Sequence, residues 1–181
     1  EIVPLFTRHG CNGGSCHGKV GGQNSFRLSL MGFEPEKDRD YLREGLGRRI
    51  FRAAPSHSLL VLKGSGQLPH EGGSRLTPNG DDYQTLIRWI GQLGSRTKPA
   101  QEEPEVERIV VMPSERITLT EASQQLRVTA HMSDGSSRDI TRAALYESND
   151  ESMAEVDLLG LVTLKNKSGT ASVMVRFREE M

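Results

Sequence analysis

Aromatic residues are scarce in this chain: one Trp, three Tyr and five Phe make up 5% of 181 residues, and the whole hydrophobic set reaches only 35%. So little apolar mass does not call for one large core, and the length suits two small domains near the lower end of the usual size range. No apolar run approaches the roughly 20 residues of a membrane-spanning helix, and the residues present do not read as a signal peptide. A phosphate-cradling glycine loop, a Ser-His-Asp set in readable context and a paired-carboxylate pattern above chance are all missing, which sets hydrolase chemistry aside. Strong net charge is missing too: the formal total is -1. That total hides an asymmetry, because residues 1–98 hold 14 Lys and Arg against 9 Asp and Glu, and residues 99–181 hold 9 against 15. The basic residues are scattered, without interleaved aromatics, so they read as a solvated face rather than a nucleic-acid interface.

Cysteine is nearly absent as well, and its two copies fall in one stretch, Cys11-Asn12-Gly13-Gly14-Ser15-Cys16-His17-Gly18. Two cysteines with a histidine directly after the second are what covalent attachment of a c-type haem requires. Each thiol adds to one vinyl group, and the histidine is held under the iron as its proximal ligand. The common spacing is CxxCH and here it is CxxxxCH. Gly13 and Gly14 are expected to take the positive φ angles that fold a longer loop into the same span. Two other chemistries compete. Cys11 and Cys16 can close a small disulfide loop, which leaves His17-Gly18 unexplained. Alternatively they can join His9 and His17 around a tetrahedral zinc, but structural zinc usually draws on two separated ligand pairs, and there is no second cysteine pair in the chain.

The flanking residues carry a family resemblance. Phe6-Thr7-Arg8-His9-Gly10 leading into the motif, then Phe26-Arg27-Leu28-Ser29-Leu30, Gly32-Phe33, Gly47-Arg48-Arg49, Ser58-Leu59-Leu60, His70-Glu71-Gly72-Gly73 and Trp89-Ile90 resemble the cytochrome domain of large planctomycete multidomain proteins. The resemblance runs from the N-terminus to Gly94. It implies one covalent haem c, an extracytoplasmic location, and a parent protein with further domains. One departure is Glu71, where the family pattern often has a third glycine. The chain opens at Glu1 without an initiator methionine, so it is expected to be an excised piece of a longer precursor.

The first half reads as short helices and loops. Ile2–Phe6 feeds the motif as a turn of helix, and Gly18–Gly32 is an irregular loop with Phe26, Leu28, Leu30 and Met31 as apolar contacts. Pro35 opens a helix to about Glu44, with Tyr41 and Leu42 as a narrow buried stripe. A second helix follows Ala54-Pro55-Ser56, capped by serine and ended by Gly64. Pro78 opens the strongest helix, where Tyr83, Leu86, Ile87, Ile90 and Leu93 share one face. Trp89 lies just off that stripe, either near the haem or in ordinary core packing. With so few aromatics this half is expected to have little protein core of its own, and a buried haem would supply the missing apolar mass.

Between those last helices, the Gly- and Pro-rich stretch 64–79 carries His70 in an otherwise structureless loop. Pro69 limits the entropy lost on fixing it, and Gly72-Gly73 let the chain approach a porphyrin closely. His70 is therefore the expected distal ligand, and the family resemblance points to the same position. Met31, His57 and His9 are the competing ligands. Each has a plainer role: loop packing for Met31, a helix start for His57, and a surface or propionate contact for His9.

Beyond Ser95 to Glu105 the hydrophobic period changes from helical to alternating. Leu126, Val128, Ala130 and Met132 alternate with polar residues, as do Ala171, Val173, Val175 and Phe177, and further strands fit 108–112, 117–120 and 161–164. Asp134-Gly135 is a hairpin signal. By alternation His131 faces solvent, and Met112 and Met132 read as core. The phrases Val128-Thr129-Ala130, Ser133-Asp134-Gly135, Asp139-Ile140-Thr141 and Val156-Asp157 with Gly160-Leu161-Val162 resemble bacterial immunoglobulin-like domains, which implies a spacer or adhesion module.

The sequence thus predicts two domains: a small all-α cytochrome c-like domain over 1–96, a linker over 97–105, and an all-β immunoglobulin-like sandwich over 106–181. The expected function is single-electron transfer through one covalent haem c held by Cys11 and Cys16, with iron ligated by His17 and His70, inside an exported multidomain protein. The redox partner is unknown, and neither nucleic acid nor a membrane span in this fragment is expected. Two other classes stay open. A haem enzyme or gas sensor would have an open sixth iron position, and a non-redox binding module would use the cysteines as a disulfide.

Overall fold

A computed structural model describes residues 2–44, 48–93 and 104–178. The chain divides into two compact units, Glu1–Gln101 and Glu102–Met181. The predicted linker lies outside the described residues except for Pro104 and Glu105.

Helices of the first unit are α1 (Ile2–Arg8), α2 (Pro35–Arg43), α3 (Leu59–Gly64) and α4 (Asp81–Gln92), with single 3₁₀ turns at Leu30–Gly32 and Pro55–His57. In α2, Pro35 opens the helix, Glu36 and Asp38 occupy the first turn and Arg43 the last, as the helix dipole favours. Asp38 nevertheless points inward. Its carboxylate accepts the Ser29 amide and, at 2.8 Å, the Ser29 hydroxyl, which pins the loop before α2. The expected start of the second helix at His57, with Ser56 as its cap, is not formed: both residues lie in the 3₁₀ turn, α3 begins at Leu59, and the Ser58 hydroxyl accepts the Phe51 amide at 2.9 Å rather than capping the helix. Helix α4 starts at Asp81 rather than at Pro78. Pro78 and Asn79 are the central residues of a turn closed by Gly80 N–H to Thr77 C=O at 3.0 Å, with Asn79 at φ +62°. Proline at the second position of such a turn is as favourable as proline at a helix start.

Tyr83, Leu86 and Ile90 of α4 are buried against Ile2, Leu5 and Phe6 of α1, together with Leu42, Val61 and Leu76. This unit therefore has a protein core of its own, contrary to the expectation from composition. It also leaves Val20, Leu30, Phe33 and Phe51 exposed. Trp89 is partly buried and packs on the core.

The described residues of the second unit form eight strands and no helix: β1 (Val106–Met112), β2 (Ser123–Gln125), β3 (Arg127–Met132), β4 (Ser137–Asp139), β5 (Leu145–Ser148), β6 (Ala154–Val156), β7 (Leu161–Leu164) and β8 (Val173–Arg176). They form three antiparallel sheets in the orders β1-β3-β4, β2-β7-β6 and β5-β8. Val128, Ala130, Met132, Ala154, Val162 and Val175 bring all three sheets onto one core. The alternation that reads as one strand through 125–132 is two, because the chain changes sheets at Leu126, whose amide bonds to Gly160 C=O at 2.9 Å. The expected strand at 117–120 is not formed, and Ile117 and Leu119 are 94% and 84% exposed. Met132 is core as expected, but Met112 is 58% exposed. Asp134-Gly135 makes the β3–β4 turn, with Gly135 at φ +79° and the Asp134 carboxylate accepting the Ser136 amide at 2.9 Å.

Candidate functional site

The CxxxxCH loop is tightly folded, though not by the expected glycines. Gly13 and Gly14 do not have positive φ; Gly10, just before the motif, does, at +69°. The loop closes through backbone bonds: Gly13 N–H to Gly10 C=O at 3.2 Å, Cys16 N–H and Gly18 N–H to Gly13 C=O at 3.0 Å each, and His17 N–H to Cys11 C=O at 3.0 Å. The last bond spans the whole insertion. Gly18 makes this closure possible, because a Cβ there would lie 1.9 Å from the Asn12 carbonyl oxygen. Asn12 is buried to 1% exposure inside the loop. Its Nδ2 donates to Thr7 Oγ1 at 2.9 Å, Thr7 donates in turn to Val3 C=O on α1, and the Asn12 carbonyl accepts the Met31 amide at 3.0 Å.

Both thiols are free and half-buried. Burial pushes the Cys11 thiol up to about 11, with Arg75 acting in the opposite direction. Among the described residues no three His, Cys, Asp or Glu side chains gather as a metal-ligand group, so His9 does not join the cysteines and His17 around a common centre. His9 is not on the surface either. Its Nε2 meets Asp82 Oδ2 at 2.7 Å, and Arg8 also donates to Asp82. The Arg8 and His9 side chains are only 8% and 10% exposed, so this cluster ties the entry of the motif to the first turn of α4. Burial raises the Asp82 carboxyl, but the bonds from Arg8 and His9 outweigh it and hold the group below the usual carboxylate range.

Two histidines 53 positions apart come together. The His17 and His70 rings have centroids 6.1 Å apart and lie within 7° of parallel. Each uses Nδ1 in the same way: His17 to Phe26 C=O at 3.0 Å, and His70 to Gly73 C=O at 3.0 Å. A carbonyl can only accept, so in both rings Nδ1 carries a proton, and in a neutral ring the lone pair is then on Nε2. Burial lowers the His17 pKa, opposed in part by the Phe26 carbonyl, so the neutral ring is favoured. Gly72 has no side chain to strike His70; a Cβ there would lie 2.8 Å from Cε1.

The competing ligands differ in position: the Met31 backbone is bonded to the loop at Asn12, and His57 is not. His57 is exposed beside Ser56, and Met31 is half-buried in a left-handed turn at φ +55°. Sequence reading missed Phe26 and Gly73 as the acceptors that orient the two imidazoles, Gly18 as the residue that closes the loop, and the Asp82 cluster. All four act through contacts distant in sequence or through backbone, which leave no local pattern.

No curated protein matches this chain. Residues 105–175 match the bacterial Ig-like domain (group 2) family, so the β unit is a bacterial immunoglobulin-like domain.

Proposed function

We propose that the first unit is a c-type cytochrome module that carries single electrons. The carrying observation is the His17–His70 pair. If haem were bound, His17 and His70 would be the residues to hold its iron. The two rings stand 6.1 Å apart and nearly parallel, and with each Nδ1 engaged by a carbonyl, Nε2 is the nitrogen left in each ring to hold an iron. Metal-ligating histidines commonly donate their other nitrogen to a carbonyl in this way, which fixes the tautomer and raises the basicity of the ligating nitrogen. Free Cys11 and Cys16, the second immediately before His17, would supply the thiols for two thioether bonds. Exposed Leu30, which lies beside the loop at Gly14, offers apolar surface for a porphyrin edge.

When bound, haem supplies a reversible one-electron couple. The chain supplies the rest: two anchoring sulfurs, a proximal nitrogen from His17 oriented by Phe26, and a distal nitrogen from His70 oriented by Gly73. With His17 and His70 both holding the iron, a bound haem would have no open position for substrate or gas, which favours electron transfer. An immunoglobulin-like domain next to the module agrees with a spacer in an exported, extracytoplasmic multidomain protein, whose redox partner the electron must reach.

His70→Ala in haem-loaded protein tests the reading. It should convert a low-spin spectrum to one that binds carbon monoxide on reduction, while Met31→Ala leaves the spectrum unchanged. The reverse pattern would assign the distal position to methionine.

A further inference from the structure

Arg49 has no part in the site as described, yet it is held with unusual care. Its Nη1 donates to the carbonyls of Tyr41 at 3.1 Å and Glu44 at 3.0 Å, its Nη2 donates to the carbonyl of Ser25, and its guanidinium carbon sits 5.0 Å from the centre of the Phe26 ring. Phe26 in turn packs on His17, with centroids 4.6 Å apart and planes tilted by 48°, and supplies the carbonyl that His17 Nδ1 donates to. All three hydrogen-bond acceptors are neutral. Among the described residues Arg49 forms no ion pair. A guanidinium cannot be deprotonated in a protein, so a full positive charge is fixed one aromatic ring away from the imidazole of His17.

We propose that Arg49 sets the reduction potential of an iron held by His17; this rests on the haem reading above. The step is the gain of one electron from an external one-electron donor, ferric iron becoming ferrous, with no bond made or broken and no proton moved. Reduction removes one positive charge from the centre. A fixed cation nearby therefore favours the reduced form and raises the potential. Three carbonyls hold the charge in place in both oxidation states, and the planar fork of arginine suits them in a way a lysine ammonium does not.

The test is a spectroelectrochemical titration of the haem-loaded full chain as wild type, Arg49→Gln and Arg49→Lys, at low and high salt. Arg49→Gln should lower the midpoint with the low-spin spectrum unchanged, and the difference should narrow at high salt. Arg49→Lys, which keeps the charge but cannot span the three carbonyls, should fall between the two and supplies the test alone if the Gln variant does not fold. In the haem-free wild-type chain, NMR should resolve separate Arg49 guanidinium protons. One averaged signal would overturn the fixed charge. Haem-loaded variants with the wild-type midpoint would overturn the role of Arg49 alone, whereas a wild-type chain that takes up no covalent haem would overturn the haem reading and this role with it.

Discussion

Gly18→Ala and Gly14→Ala, two identical changes four residues apart in one loop, should behave in opposite ways. A Cβ at Gly18 would lie 1.9 Å from the Asn12 oxygen, 2.6 Å from the Asn12 carbonyl carbon and 2.9 Å from the Gly13 oxygen. All three atoms are backbone, so no side chain can swing aside. Relief means moving carbonyls that accept the Met31, Cys16 and Gly18 amides. With two or three such bonds lost at about 0.5–1.5 kcal/mol each, the cost is about 1–4.5 kcal/mol. At Gly14 the nearest atom to an added Cβ is Leu30 Cδ1 at 3.8 Å, and φ is not positive. Alanine fits there, and by restricting the unfolded chain it should change stability by no more than about 1 kcal/mol, in the stabilising direction. The assay is urea unfolding of the haem-free full chain followed by fluorescence of Trp89, the single tryptophan, which packs on the first unit's core and so reports that unit. Equal midpoints for both variants and the wild type would refute the loop-closure argument.

Asp82→Asn should cost about 2 kcal/mol at neutral pH, between the values for exposed and buried pairs because the carboxylate is about a third exposed. The folded carboxyl titrates below its unfolded value of about 3.9, so its contribution is present above that pH and lost as pH falls further. The gap between variant and wild type in thermal melts should close below about pH 4, and a gap independent of pH would contradict the ion-pair account. Cys11, with its thiol pushed up to about 11, should react with iodoacetamide at pH 8 about a hundredfold more slowly in the folded haem-free chain than in urea. Equal rates would contradict its burial.

Much of the first unit is legible because its signals are local. Tyr83, Leu86 and Ile90 mark α4 by spacing, and Cys11, Cys16 and His17 mark the candidate site by adjacency. The chemistry around those residues is not local. Nothing near His17 announces that Phe26 orients it, and Asp38 reads as an ordinary exposed acid in a first turn, although it turns inward to Ser29. Pro78 fits a turn and a helix start equally well, which displaced the start of α4 by three residues. In the β unit, alternation reports which face is buried but not which strand is the neighbour. The change of sheet at Leu126 is invisible for that reason, and Ile117 and Leu119 mimic a strand that makes no ladder. Strands β4, β5 and β6 are three or four residues long, too short to show a period.

The central claim is that this chain carries one covalent haem with two imidazole ligands, and the most direct measurement joins the intact mass to the optical spectrum of the full chain produced in a host that matures c-type cytochromes. The account predicts a mass increased by one haem that does not extract into acidified organic solvent, with low-spin spectra in both the oxidised and the dithionite-reduced states. A colourless chain at the mass of its sequence, or a haem that extracts freely, would contradict it.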